Sequence, residues 1–197
     1  MTTILALHGY HGSATILRGQ LAPVTAALPD VEFTFVDAPS RRSGDFGWWH
    51  EGFSGWERTR DWVLDLVAQQ HFDGVLGFSQ GAALTGLLAG VQATDPATAL
   101  DFGFAVMIGG FTSFAPRHAS LFPGPLTIPS LHVMGRTDTI VPIGDSLRLA
   151  DRFADPVVLR HDGGHIVPND PAIVRGVNEF ITARAAHCPD GETIRGT

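Results

Sequence analysis

The sequence predicts an α/β domain, a mostly parallel sheet of about six strands with helices on both faces. Three observations predict it. Short apolar, β-branched runs alternate with helix-like segments along the chain. Most of those runs are apolar at successive positions, the pattern of strands buried on both faces. The chain has 197 residues and 44% hydrophobic content, enough for one sizeable core.

The strand runs are Thr3–Leu7, Val31–Val36, Gly74–Gly77, Phe102–Ile108, Ser130–Met134 and Val157–His161. Helices are expected between them. Ala14–Leu28 follows Ser13 as N-cap, and Gly55–Gln70 follows Ser54, where Ser54-x-x-Glu57 reads as a capping box. Gln80–Val91, a short segment near Asp145–Phe153, and Pro171–Ala186 behind Asp170 complete the set. Two long loops, Asp37–Phe53 and Gly109–Thr127, interrupt this alternation, and long loops in a compact domain often carry function. The domain is expected to occupy residues 1–187, with the polar stretch Cys188 to Thr197 as a flexible tail.

Composition removes several classes of function. The formal net charge is −7 and the basic run is Arg41-Arg42 alone, so nucleic acid is not an expected partner. That arginine pair reads as an ordinary solvated pair; the alternative is a contact with an acidic carrier or a phosphopantetheine phosphate. All 13 Lys+Arg residues are arginine, which excludes a Walker lysine, a Schiff base and Ser-x-x-Lys chemistry. No apolar run reaches the roughly 18–20 residues of a membrane span, so no membrane partner is expected. Met1-Thr2-Thr3 leads straight into a strand, without the basic and apolar regions of a signal peptide. With Cys188 as the single cysteine, a cytoplasmic location is expected.

Gly77-Phe78-Ser79-Gln80-Gly81 is the strongest local motif. Alone, G-x-S-x-G is weak. Here a strand end precedes it and a small-residue helix follows, the strand-turn-helix setting of a nucleophile elbow. Ser79 is therefore the candidate nucleophile. Gly52-Phe53-Ser54-Gly55 lacks the second spacing and is given no chemistry.

A serine nucleophile needs a base, and among nine histidines His165 is the candidate. It follows the turn Asp162-Gly163-Gly164 after the last strand run, where flexible glycines let an imidazole reach over the sheet edge. The third member must fix the imidazole tautomer, and Asp138, just past the run Ser130–Met134, is the candidate. It falls between Ser79 and His165, giving the chain order Ser, Asp, His. Asp145 suits a helix start, and Asp162 is too near His165 in sequence to reach around it. The expected oxyanion donors are the backbone N–H groups of Gln80 and Tyr10. His8 and His11 lack a third ligand at fitting spacing, so neither a metal nor another cofactor is expected. Trp48, Trp49, Phe111 and Phe114 are candidate pocket walls; Trp49 as a loop anchor and Phe111 as core are the alternatives.

Taken together, these residues resemble the FSH family of serine hydrolases, in the α/β-hydrolase superfamily. The resemblance runs from about Ile4 to Glu179. It is carried by Leu7-His8-Gly9, Asp37-Ala38-Pro39, Trp48-Trp49, the run Phe72 to Ala82, Ile128 to Gly135, Thr137-Asp138 and His161 to His165. It implies a single-domain α/β-hydrolase fold and catalytic roles for Ser79, Asp138 and His165. The family implies cleavage of small to medium acyl esters; some relatives are thioesterases that release polyketide chains from carrier proteins. The Asp37–Phe53 loop departs from the family by being shorter.

The expected function is hydrolysis of a carboxylic ester or thioester through an acyl-enzyme, the acyl group free or carrier-protein-bound. Acyl transfer or cyclisation in natural-product biosynthesis is the alternative, followed by a non-catalytic binding protein.

Overall fold

The computed structural model describes residues 1–42 and 45–185, and the side chains of residues 41–45 fall outside that description. The expected domain end at 187 and the tail 188–197 lie outside it too. In chain order the described elements are β1 (Thr2–Leu7), α1 (Ala14–Gln20), α2 (Ala22–Ala26), β2 (Val31–Val36), β3 (Ser40–Arg42), β4 (Asp45–Gly47), a 3₁₀ turn (Glu51–Phe53), α3 (Trp56–Gln69), β5 (Gly74–Phe78), α4 (Gln80–Thr94), β6 (Phe104–Ile108), a second 3₁₀ turn (Pro116–Leu121), β7 (Ser130–Gly135), α5 (Ile143–Ala150), β8 (Val157–His161) and α6 (Pro171–Ala185).

The main sheet has the order β2-β1-β5-β6-β7-β8, and every neighbouring pair in it is parallel. The chain steps outward from β1 to β2, then returns to β5 on the other side of β1 and runs on to β8. The direction of winding therefore reverses between β1 and β5. In open α/β sheets that crevice, at the carboxyl ends of the strands, is where ligands bind.

Side chains alternate across each strand. Leu5, Leu7, Val75, Ala105 and Met107 face a core shared with Trp56, Val63, Leu84, Leu87 and Leu149 of α3, α4 and α5. Ile4, Ala6, Leu76, Phe104, Val106 and Leu131 face a second core, shared with Leu17, Val24, Ile173, Val177 and Ile181 of α1, α2 and α6. Helices thus cover both faces, as the continuous apolar runs require.

Two expected helix features are corrected. The segment Ala14–Leu28 is two helices, with Leu21 ending α1 and capping α2. Pro23 sits in the first turn of α2; it lacks an N–H and disfavours helical backbone before it, so the helix restarts there. Ser13 does cap α1, accepting the Ile16 N–H at 3.2 Å. Ser54 does not cap α3: Gly55 holds that position with φ 95°. The Ser54 carbonyl is instead drawn into the 50–54 turn by the His50 N–H at 2.9 Å. Glu57 turns outward to Arg117 at 3.5 Å, so a tertiary ion pair replaces the capping box.

The loop expected over Asp37–Phe53 holds the antiparallel β3–β4 hairpin, with Ser40 opposite Gly47. It returns the chain to the carboxyl end of β1, so that Trp48 and Trp49 follow immediately beside the crevice.

Candidate active site

Ser79 stands between β5 and α4 with φ 56° and ψ −117°, a backbone state that side-chain-bearing residues rarely adopt. Its N–H donates to the Ile108 carbonyl at 2.8 Å, which fixes the elbow against β6. The motif glycines make the elbow possible. A Cβ on Gly77 would strike the Gly81 carbonyl, and one on Gly81 would strike the Leu7 carbonyl of β1. Both glycines therefore let α4 start tight against the sheet.

β7 and β8 deliver the partners. Ser79 Oγ lies 2.8 Å from His165 Nε2, and His165 Nδ1 lies 2.7 Å from Asp138 Oδ2. A carboxylate accepts, so Nδ1–H donates to Asp138 and Nε2 is left to accept from the Ser79 hydroxyl. The other Asp138 oxygen accepts the N–H groups of Ile140 at 2.9 Å and Val141 at 2.8 Å. The Asp138 side chain is 2% exposed. Asp162, the rival carboxylate, is 95% exposed and pairs with Arg136 at the surface. The His165 turn rests on His161, whose Nδ1 accepts the Gly163 N–H at 3.1 Å. Burial lowers the His161 pKa, against opposing pulls from Asp138, Asp162 and Asp170, and a neutral ring is what that acceptor role needs.

Gly9 closes on the elbow from β1: a Cβ there would come within 3.2 Å of Ser79 Cβ. Tyr10 follows it, and the Gln80 N–H lies in the first turn of α4, where helix donors have no intrahelical partner. Tyr10 and Gln80 line one hollow with Ser79. The Gln80 side chain, given no role by sequence, spans the next segment. Its Oε1 accepts the Trp48 N–H at 2.9 Å and its Nε2 donates to the Trp49 carbonyl at 2.8 Å.

Two hollows share part of their walls here, and Ser79 lines one of them. One, of about 400 Å³, is lined by Ser79, Ile140, Val141 and Arg148; the other, of about 470 Å³, by Trp49 and Phe53. Tyr10, Gln80, Phe111 and Phe114 border both. Trp49, Phe111 and Phe114 therefore stand where the sequence expected pocket walls. Trp48 does not: it is fully buried beneath the groove and lines neither hollow, because its backbone and indole are consumed by buried hydrogen bonds. Ile140, Val141 and Arg148 were missed, since only the sheet order brings the loop after β7 and helix α5 to this mouth. His118 is buried behind Phe53 and lines neither hollow. Its ring meets Phe53 and Trp56 edge-on, and its Nδ1 lies 2.7 Å from Ser113 Oγ.

Among the described residues no group of three or more His, Cys, Asp or Glu side chains is placed to hold a metal ion. Nor is any described helix long and apolar enough to cross a membrane.

Comparison with known proteins bears on this geometry. The family model described as "Serine hydrolase (FSH1)" matches residues 1–177. The chain is similar to Esterase OVCA2 of Xenopus tropicalis, 35% identical over 198 aligned positions that cover 84% of this chain and 85% of that one. Human Esterase OVCA2 is 39% identical over 142 positions, 62% of this chain and 61% of its own. Among solved structures, Zea mays acyl-protein thioesterase 2 superposes with a TM-score of 0.73 at 23% identity, covering 93% of both chains. A Bacillus cereus carboxylesterase gives a TM-score of 0.68 at 16% identity, covering 93% of this chain and 88% of its own. These two likenesses place the fold among the α/β hydrolases.

Proposed function

The chain belongs to the FSH1 family of serine hydrolases, and from that premise we propose that Ser79, His165 and Asp138 hydrolyse a small to medium acyl ester or thioester through an acyl-enzyme. The observation that carries this reading is the continuous relay of 2.8 Å and 2.7 Å from Ser79 through His165 to Asp138.

The steps follow from those contacts. Ser79 Oγ attacks the acyl carbon while its proton passes to His165 Nε2. The imidazolium is stabilised by Asp138, which keeps its other oxygen on two backbone donors. The carbonyl oxygen, now carrying the negative charge, turns toward the N–H groups of Tyr10 and Gln80. His165 returns the proton to the departing alkoxide or thiolate, and the acyl group stays on Ser79. Water then attacks this ester, giving its proton to His165, and collapse of the second tetrahedral adduct frees the acid and the Ser79 hydroxyl.

The hollow walled by Trp49, Phe53, Phe111 and Phe114 suits an acyl chain, since each buried CH₂ contributes about 0.8 kcal/mol. Its limited volume favours chains of roughly four to ten carbons by the same arithmetic. The names of the relatives, esterase and acyl-protein thioesterase, support ester and thioester chemistry. A carrier-protein-bound acyl group is the alternative presentation of the same substrate. Cytoplasmic residence belongs to the same reading and rests on the lone Cys188. The test is a chain-length series of esters and thioesters with products identified by mass. An optimum at short to medium chains with free acid released is expected. A maximum at acetyl or at sixteen carbons refutes the pocket argument, and a transferred or cyclised product moves the chain to acyl transfer.

A further inference from the structure

His8 is buried at the carboxyl end of β1, with none of its surface exposed, and the relay described above makes no use of it. Its two ring nitrogens face two backbone groups of opposite kind. Nε2 lies 3.1 Å from the Ala38 nitrogen, an N–H that can only donate. Nδ1 lies 2.7 Å from the Gly9 oxygen, a carbonyl that can only accept. One protonation state satisfies both: a neutral ring with its proton on Nδ1. Burial, which lowers the His8 pKa against opposing pulls from the Gly9 carbonyl and Asp37, favours the same neutral form.

The Gly9 carbonyl belongs to the same peptide unit as the Tyr10 N–H. That unit is planar and trans, so its C=O and N–H point in opposite directions. The carbonyl is gripped twice, by His8 Nδ1–H and by the Gly12 N–H at 3.0 Å. Gripping it from that side turns the Tyr10 N–H away from the ring. Gly12 allows the grip, since a Cβ there would sit 2.8 Å from the Gly9 oxygen and 3.3 Å from His8 Nδ1.

A second tie holds the same peptide run. The Trp48 indole Nε1–H donates to the His8 carbonyl at 2.7 Å. The Trp48 backbone N–H donates to Gln80 Oε1, and its carbonyl accepts the Thr59 hydroxyl at 2.5 Å. Trp48 therefore joins the segment that carries the Tyr10 N–H to the residue that carries the Gln80 N–H. The separation of these two donors is set by buried hydrogen bonds, not by loop packing alone.

We propose that His8 is a positioning residue for the oxyanion site: its Nδ1–H tautomer, braced by Trp48, aims the Tyr10 N–H at the carbonyl oxygen of the bound ester. The inference rests on the reading of Ser79 as nucleophile. The grip matters most when the oxygen becomes negative, so its loss should appear in kcat while KM stays nearly constant.

Two amide variants separate the nitrogens of the ring. His8→Asn places an N–H near the Nδ1 position and keeps the grip on Gly9 while abandoning Ala38. His8→Gln reaches the Nε2 position, keeps the Ala38 contact and frees the Gly9 carbonyl. His8→Asn should retain kcat within about fivefold, and His8→Gln should lose about a hundredfold in kcat at nearly unchanged KM. Equal losses in both, no loss in either, or the reverse ranking overturns the proposal. Should neither variant fold, the unaltered protein decides: nitrogen-15 spectra of labelled histidines must show His8 protonated at Nδ1 with a bare Nε2, and the opposite tautomer overturns the proposal. Ser79→Ala is assayed alongside. Activity surviving in Ser79→Ala removes the nucleophile assignment; a silent Ser79→Ala beside unimpaired His8 variants removes only the role of His8.

Discussion

The segment from His8 to Gly12 with Trp48 and the segment from Phe111 to Phe114 meet at the same groove, yet they are held in opposite ways. On the first side, His8 and Trp48 are completely buried, and three side-chain hydrogen bonds of 2.7–3.1 Å tie them to backbone groups. On the second, Phe114 is 81% exposed and rests on Phe53 through one edge-to-face contact. Ile140, across the mouth, is 72% exposed. The difference fits the roles proposed for the two sides. Donors to a developing charge must be fixed before the reaction, because preorganisation is what makes them effective. An apolar wall needs only to exclude water along a chain, and it tolerates adjustment.

The sharpest way to break this comparison is to remove the groups proposed to react. Ser79→Ala should abolish esterase activity and fluorophosphonate labelling with the fold intact, since Ser79 occupies an elbow and not a core position. His165→Ala should cost about as much, because such residues act as a unit. Labelling that persists in Ser79→Ala and vanishes in another serine variant would sink the assignment.

Asp138→Asn comes next, and it sets a buried carboxylate against an exposed one. An amide there favours the wrong His165 tautomer and should lower kcat by roughly two to four orders of magnitude. Asp162→Asn, altering a surface ion pair, should stay within about tenfold of the unaltered enzyme. The opposite ranking would transfer the acid role to Asp162.

The fixed side should also matter to stability. Trp48→Ala removes a fully buried indole and its Nε1–H bond to the His8 carbonyl, and should cost about 3–5 kcal/mol in denaturant unfolding. A loss below about 1 kcal/mol would show that the brace is dispensable.

Acid should loosen the buried histidines by a smaller step. Burial lowers the His132 pKa from 6.5 to about 4, and His8 shifts in the same direction. Between those limits the unfolded chain binds protons that the folded chain refuses, so stability is full above 6.5 and falls as the pH drops toward 4. Each such histidine adds a slope of up to about 1.4 kcal/mol per pH unit. His132→Gln should flatten the profile over that window. Identical slopes for the variant and the unaltered protein would contradict the shift.

How much of this was legible in the sequence follows from the same physics. The inner strands of the main sheet were legible because burial on both faces writes itself as continuous apolar runs, and the more mixed edge strands Val31–Val36 and Val157–His161 match to the residue. The meeting of Ser79, His165 and Asp138 was legible because each follows a strand on a turn, where spacing and glycines constrain the choice. The β3–β4 hairpin was not, since residues 40–47 carry no alternating apolar pattern. Trp48 was placed in the pocket wall because an aromatic pair in a long loop gives no sign of which ring turns inward. The contact of His8 with Ala38 and those of the Gln80 side chain span 30 to 32 residues, and no local pattern records them.

Phe114→Ala probes the loosely held side and should give the smallest effect. The ring is mostly in water already, so its removal should shift stability by no more than about 0.5 kcal/mol. Its contribution to the groove is different in kind. Phe114 is an exposed residue bordering both hollows, and the expectation is that only the far end of a longer acyl chain touches it. A short acyl group never reaches it, and a longer one loses about one methylene's worth of shelter when the ring is gone. One buried CH₂ corresponds to about 0.8 kcal/mol, which is roughly a fourfold change in kcat/KM. The expectation is therefore a selective loss of about that size on eight- to ten-carbon esters, with four-carbon esters unaffected. The loss should fall on KM more than on kcat, because shelter of a distant methylene is the same in the ground state and the transition state. A uniform loss across all chain lengths would mean that Phe114 shapes the reacting centre, and the division between a fixed side and an adjustable side would fail.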